Sequence, residues 1–269
     1  MSTVLLFAVF GLGGIASGFF AGLFGIGGGL IMVPILVYAF KTTGMVSDHI
    51  LAMALGTSMA AIVFSSAQSA YGHYYKGSAS LEKIRLAAPW VVAGVLIGGS
   101  IAVRIPAHPL LVFVGGFQLL AALLMLTDVS KLVTLQSLAR GGVALGFFSL
   151  FFGGVAAMVG IGGGTLFIPY FKASGMEPKL AIGTSAAIGL PISLAGVLAY
   201  GWQGWGVSGD QWAIGYIDMP AALALVLGTL LTVRLGVVTA HRLPSRALAG
   251  LFALFLFFNG AHLLYSALG

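Results

Sequence analysis

The 269-residue sequence contains no cysteine, and only 7% of its residues are charged. The missing thiol excludes disulfides, thiolate catalysis and cysteine-bound iron–sulfur clusters. Soluble domains carry about a quarter of their residues as charged side chains, so the low charge excludes an ordinary soluble fold. With 59% hydrophobic residues and a mean hydropathy of +1.10, the composition predicts an all-α polytopic membrane protein.

Charge is absent from eight long stretches of the chain. These stretches cover residues 3–40, 50–71, 86–103, 110–127, 141–171, 180–200, 219–233 and 247–268. Most of them reach or approach the roughly 20 residues that a helix needs to span a bilayer. All six acidic residues lie in the connections, which disfavours a carboxylate proton relay through the membrane and a membrane enzyme with a carboxylate pair.

The basic excess does not indicate nucleic-acid binding. The net charge is +6, but the Lys and Arg residues lie between the apolar stretches, where the rule for membrane orientation expects them. The five histidines have no metal-ligand spacing. No metal or other cofactor is therefore expected.

Glycine is abundant, with 41 residues, and it concentrates in a duplicated motif. "GIGGGLIMVP" at residues 25–34 recurs as "GIGGGTLFIP" at 160–169, and "ALGTS" at 54–58 recurs as "AIGTS" at 181–185. Further along, "GGSIAVR" ending at Arg104 aligns with "GTLLTVR" ending at Arg234. We predict two homologous halves, residues 1–130 and 131–269, that form one transport domain.

The basic residues help to decide whether the halves are parallel or inverted. If each glycine-rich segment crossed the membrane once, the twelve basic residues would divide five against seven. If each segment entered and returned as a hairpin, only Lys41 and Arg104 would lie opposite the other ten. The positive-inside rule then favours inverted repeats, each with a Gly-broken re-entrant or hairpin segment plus three transmembrane helices, and both termini in the periplasm.

The glycine motifs predict helix breaks that bind an anion. Each glycine costs about 1 kcal/mol of helix propensity relative to alanine, so four in a five-residue window favour a break. A break inside a membrane leaves backbone N–H groups that need a partner, and the positive end of the following helix dipole attracts anions. The more regular glycines at 14, 18 and 22, spaced four apart, are better explained by close helix packing.

Hydroxyl groups of the repeated "GTS" could complete the site, because they donate to oxyanions without the desolvation cost of a buried charge. An equally weighted alternative is that they bond to carbonyls of their own helix. Ser58, Ser65 and Ser69 share a helical face that would line a polar path or form a seam between helices. The predicted substrate-binding residues are Gly27, Gly28, Gly29, Thr57, Ser58, Gly162, Gly163, Gly164, Thr184 and Ser185.

Other polar and aromatic residues are expected to have structural roles. Arg104 and Arg234 are expected to be snorkelling anchors, and His262 is expected to pair with Asn259 on one helix face. Five aromatic residues crowd one connection and predict a belt at the membrane interface. They are Tyr200, Trp202, Trp205, Trp212 and Tyr216.

The two "GIGGG" motifs, each followed by "GTS", in a chain of this length and hydropathy resemble the TauE/SafE family of bacterial sulfite exporters, also called the toluene sulfonate uptake permease family. The resemblance implies a transporter of small sulfur-containing oxyanions in the bacterial inner membrane, not an enzyme. We expect export of sulfite or an organosulfonate, with the lipid bilayer and the anion as partners and a homo-oligomer left open. The alternatives are an anion channel or a permease for another small anion, and, less favoured, a membrane enzyme or an assembly scaffold.

Overall fold

A computed structural model describes residues 3–42, 49–126, 142–206 and 212–268, and this part of the chain forms ten α-helices and one short β-hairpin. The helices of the first part are α1 (Thr3–Phe24), α2 (Gly29–Thr42), α3 (Ile50–Tyr75), α4 (Leu81–Ala102) and α5 (Ala107–Leu126). Those of the second part are α6 (Gly142–Val159), α7 (Gly164–Ala173), α8 (Pro178–Gln203), α9 (Met219–Arg242) and α10 (Ser245–Leu268). Strands β1 (Ala213–Ile214) and β2 (Ile217–Asp218) pair antiparallel between α8 and α9.

The prediction of an all-α polytopic membrane protein is confirmed. By length and composition, α1, α3, α4, α6, α8 and α9 are suited to cross a membrane. The predicted boundary between the halves, at residues 130 and 131, falls outside the described residues.

Each glycine motif ends one helix, and the chain then turns back. α1 ends at Phe24 before the first motif, and α2 begins inside it. The ring of Phe10, early in α1, packs on the ring of Phe40, late in α2, with centroids 6.2 Å apart. The second motif repeats this arrangement, since the centroids of Phe148 in α6 and Tyr170 in α7 are 5.0 Å apart. Both motifs are therefore the tips of helical hairpins.

Glycines away from the tips bring helix backbones together. A Cβ on Gly18 of α1 would lie 2.6 Å from the Cα of Thr229 in α9, and one on Gly14 would lie 3.0 Å from the Cα of Gly228. A Cβ on Gly98 of α4 would lie 2.5 Å from the Cα of Gly154 in α6. Small residues permit such contacts between membrane helices. The packing interpretation of the four-residue glycine spacing is thus correct.

The helices of the two parts pack reciprocally. α1 packs along α9 and α6 along α4, while α3 packs on α8 and α5 on α10. Thr57 near the start of α3 accepts a hydrogen bond from the backbone N–H of Asp218, the N-cap of α9, at 2.9 Å. Thr184 near the start of α8 accepts an equivalent hydrogen bond from the backbone N–H of Ser80, the N-cap of α4, at 3.0 Å. α9 begins just after α8 ends, so the bond to Asp218 places the start of α3 near the end of α8. In the same way, the bond to Ser80 places the start of α8 near the end of α3. The helices α3 and α8 therefore run antiparallel to each other.

These matched bonds correct one predicted alignment. Ser80 and Asp218 occupy corresponding positions, and Arg104 and Arg242 each follow their N-cap by 24 residues. The counterpart of Arg104 is therefore Arg242, at the end of "GVVTAHR", and not Arg234. Apolar helices allow this error because a shift of about two turns restores the same hydrophobic face.

Candidate functional site

The two glycine breaks lie against each other. The backbone N–H of Gly162 donates to the carbonyl of Ile26 at 3.0 Å. A Cβ on Gly27 would lie 3.3 Å from the Cα of Gly162, and one on Gly164 would lie 2.6 Å from the carbonyl oxygen of Gly25. Residues 25–30 and 160–168 are all buried. The breaks therefore form one enclosed centre from which α2 and α7 begin.

Most of the predicted amide donors at this centre are unpaired. The carbonyls of Gly28 and Gly163 accept the N–H groups of the first turns of α2 and α7. Within the described parts of the chain, the amides of Gly27, Gly28, Gly29, Gly163 and Gly164 have no acceptor. The amide of Gly162 differs, since Ile26 already accepts its proton. The free N–H groups carry the positive ends of two helix dipoles.

Backbone conformation adds a second reason for glycine at the first break. Gly27 and Gly28 have φ angles of +76° and +88°. Side-chain-bearing residues adopt such angles at a steric cost that glycine avoids. Gly163 has an ordinary φ of −65°, so there the constraint is space: a Cβ would lie 2.6 Å from the carbonyl oxygen of Ser185.

The four residues of the repeated "GTS" have different partners. Thr57 and Thr184 accept the N-cap amides of α9 and α4, so each threonine holds the start of a helix in the other half. Ser58 donates to the carbonyl of Leu55 at 2.8 Å, as expected for a serine satisfied by its own helix. Ser185 is buried, and its hydroxyl has no partner in the described residues. Their role in binding a substrate stays a prediction.

The polar face of α3 contacts the first hairpin. Ser65 donates to the carbonyl of Gly27 at 2.7 Å, and Ser69 to that of Ala21 at 3.5 Å. Because these serines are bonded to carbonyls of the first hairpin, they form a polar contact between packed helices and not the lining of an open path. Ser66, one position further round α3, and Thr165, next to the second break, were missed by sequence reasoning. The only signal for Thr165 was its replacement of Leu30 in the repeat.

Two predictions about polar and aromatic residues need correction. Tyr200 is fully buried and donates to the carbonyl of Ala157 at 2.8 Å, and Tyr216 is also buried, so neither belongs to an interfacial belt. Trp202, Trp205 and Trp212 are 82%, 76% and 63% exposed, which agrees with that role. Burial raises the pKa of Tyr216 above its usual value.

Asn259 does not pair with His262. It donates to the side-chain oxygen of Gln118 at 2.8 Å, joining α10 to α5. His73 and His241, far apart in sequence, lie with their ring nitrogens 3.3 Å apart. In the described residues, no three His, Cys, Asp or Glu side chains come together as metal ligands do.

Known proteins are similar in sequence to this chain over nearly its whole length. The family model "Sulfite exporter TauE/SafE" matches residues 10–263. A protein of Haemophilus influenzae named "Probable membrane transporter protein" is 34% identical over 245 residues, which cover 90% of this chain and 92% of the relative. A protein of Bacillus subtilis, "Probable membrane transporter protein YunE", is 25% identical over 289 residues, covering 100% of this chain and 99% of the relative.

An archaeal relative, "Probable membrane transporter protein MJ0441" of Methanocaldococcus jannaschii, is 25% identical over 248 residues, covering 87% of this chain and 86% of the relative. No solved structure matches the chain. With the family match on 10–263 and the six helices suited to cross a membrane, the chain belongs to the TauE/SafE sulfite exporter family and is a multi-pass membrane transporter.

Proposed function

We propose that this transporter exports a small sulfur-containing oxyanion, such as sulfite or an organosulfonate, from the cytoplasm across the bacterial inner membrane. The substrate site is the centre made by Gly27–Gly29 and Gly162–Gly164, with hydroxyl groups of Thr57, Ser58, Thr184 and Ser185 around it. One observation carries the proposal: five unpaired backbone N–H groups at two adjoining helix starts are enclosed in the middle of the fold.

The chemistry of this centre fits an anion better than a cation. Helix N-termini and free amides attract negative charge, and glycines let the ligand reach the backbone. Transporters of other folds commonly place substrates at the ends of broken helices near the midplane. Because the cell interior is negative, an anion leaving it gains about 2.3 kcal/mol per charge per 100 mV, so export requires no coupling ion.

The topology we propose is a pair of inverted repeats, residues 1–130 and 131–269, with both termini in the periplasm. The antiparallel course of α3 and α8 and the two hairpins support it. Lys41 in the last turn of α2 and Arg104 after α4 lie on one side, whereas Lys76 and Lys179 lie at the opposite end of α3. The side richer in basic residues would face the cytoplasm.

The test is sulfite efflux from liposomes that contain the purified protein. Gly163→Ala should reduce efflux at least tenfold, because the new methyl group would fill space against the carbonyl of Ser185, while the protein stays in the membrane. Gly116→Ala is the matched control, since Gly116 is helical and has no atom within 4 Å of an added Cβ. Equal efflux in the two variants would count against a substrate site at the breaks.

A further inference from the structure

Two residues at the second of the two breaks have buried hydroxyl groups without a hydrogen-bond partner in the described part of the chain. Thr165 and Ser185 are fully buried, and neither hydroxyl has a partner within the described residues. Ser66 is only 2% exposed, and its hydroxyl also bonds to nothing in that part of the chain. Buried polar atoms in native proteins nearly always have a partner, so the hydroxyls of Thr165 and Ser185 indicate a ligand, and the unpaired hydroxyl of Ser66 is available to the same ligand.

The residues that carry these hydroxyls lie at the start of α7. A Cβ on Gly189 of α8 would lie 2.7 Å from the hydroxyl oxygen of Ser66 and 3.5 Å from the free amide nitrogen of Gly163. The carbonyl oxygen of Ser185 lies 2.6 Å from the Cβ position of Gly163. Thr165 is the second residue of α7. The Ser66 hydroxyl and the Gly163 amide thus both lie next to the position that a Cβ of residue 189 would occupy.

The first break differs from the second, although the Ser66 hydroxyl also lies 3.3 Å from the Cβ position of Gly27. By the repeated motifs, Leu30 corresponds to Thr165, Ile62 to Gly189 and Ser58 to Ser185. A side-chain methyl of Ile62 lies 2.7 Å from the Cβ position of Gly27, and so it fills the space that Gly189 leaves open in the other half. Ser58 is already bonded to a carbonyl of its own helix. The two halves are therefore similar in backbone but unequal in free hydroxyl groups.

We infer that the oxyanion lies against the start of α7, where the hydroxyls of Ser66, Thr165 and Ser185 add to the amides of Gly163 and Gly164. The first break then contributes backbone amides, and the side-chain donors come from the second break and from Ser66. Every donor is neutral, so the site selects a compact oxyanion by hydrogen bonding and shape without a buried cation. This inference rests on the proposed function and names the residues of that site.

Three hydroxyl-removing variants of the full-length protein test the inference: Ser66→Ala, Thr165→Val and Ser185→Ala. Each should raise the apparent Kd for sulfite about tenfold or more, because a hydrogen bond to a charged ligand is lost. The melting temperature without ligand should stay equal or rise, since each change removes an unpaired hydroxyl from a buried residue. Kd is measured by the sulfite dependence of the melting temperature, and KM by efflux from liposomes.

The matched controls are Ser193→Ala and Thr229→Val. Both residues are equally buried, and Ser193 is the counterpart of Ser66 in α8. Their hydroxyls donate to the carbonyls of Gly189 at 2.9 Å and Val226 at 2.9 Å, within their own helices. The controls should keep the wild-type Kd for sulfite and melt at a slightly lower temperature.

The outcomes separate this inference from the proposed function. Wild-type Kd values in all three test variants, with wild-type protein that binds and exports sulfite, would overturn the inference alone. A wild-type protein that neither binds nor transports sulfite, sulfate, thiosulfate, taurine or sulfoacetate would overturn both. Loss of binding in the test variants, with binding retained in the controls, supports the inference.

Discussion

At the scale of single residues, identical motifs have acquired partners that only the fold provides. Thr57 and Thr184 occupy the same place in "GTS", and each accepts the N-cap amide of a helix in the opposite half. The neighbouring serines differ, because Ser58 is bonded to its own helix and Ser185 is not. The two threonines could be singled out from sequence, but their partners lie more than a hundred residues away and could not.

Removing either threonine hydroxyl should destabilise the protein. Thr57→Val and Thr184→Val leave the backbone N–H of Asp218 or Ser80 without its acceptor, at a cost of about 1–3 kcal/mol. The expected result is a melting temperature several degrees lower in detergent, measured by thermal unfolding. Thr57→Ser and Thr184→Ser keep the hydroxyl and serve as controls. If the Val and Ser variants melt together, these bonds do not hold the helix starts.

At the scale of secondary structure, glycine has two separate structural roles. Where glycine is clustered in "GIGGG", it ends α1 and α6 and allows the chain to turn back as a helical hairpin in both places. Spaced by four along α1, it brings that helix against α9. Both uses follow from local sequence, since clustered glycines accumulate propensity costs while regularly spaced ones leave the helix intact and narrow one face.

The contact between α1 and α9 should be sensitive to a single methyl group. Gly18→Ala places a Cβ 2.6 Å from the Cα of Thr229, so the two backbones must move apart. Such overpacking costs about 1–3 kcal/mol. Gly11→Ala, on the same helix, has no atom within 4 Å and should be neutral or slightly stabilising. Thermal unfolding of the two purified variants checks this, and equal melting temperatures would contradict it.

At the scale of the whole molecule, the arrangement is a reciprocal exchange between the halves. The first helix of each half packs on the fourth helix of the other, and corresponding helices α3 and α8 meet at the centre. The breaks meet at the same place, so the proposed site belongs to neither half alone.

The absence of cysteine makes the topology directly testable. Lys76 and Trp205 lie just beyond the ends of the corresponding helices α3 and α8, and both side chains are exposed. In intact cells, a membrane-impermeant maleimide should label Trp205→Cys, whereas Lys76→Cys should react only after the membrane is permeabilised. The unsubstituted protein is an unreactive control. Labelling of both positions from the same side would indicate parallel repeats, and the reverse pattern would place the termini in the cytoplasm.

The sequence by itself determined the membrane class, the duplication, the helix breaks and the family, because each depends on composition, local propensity or a motif read along the chain. Only the tertiary structure decided that the breaks touch, that Gly162 is bonded to Ile26 while Gly163 is free, and that Arg242 is the counterpart of Arg104. These facts depend on contacts between distant segments. Such contacts are set by the packing of helices whose apolar surfaces look alike in sequence.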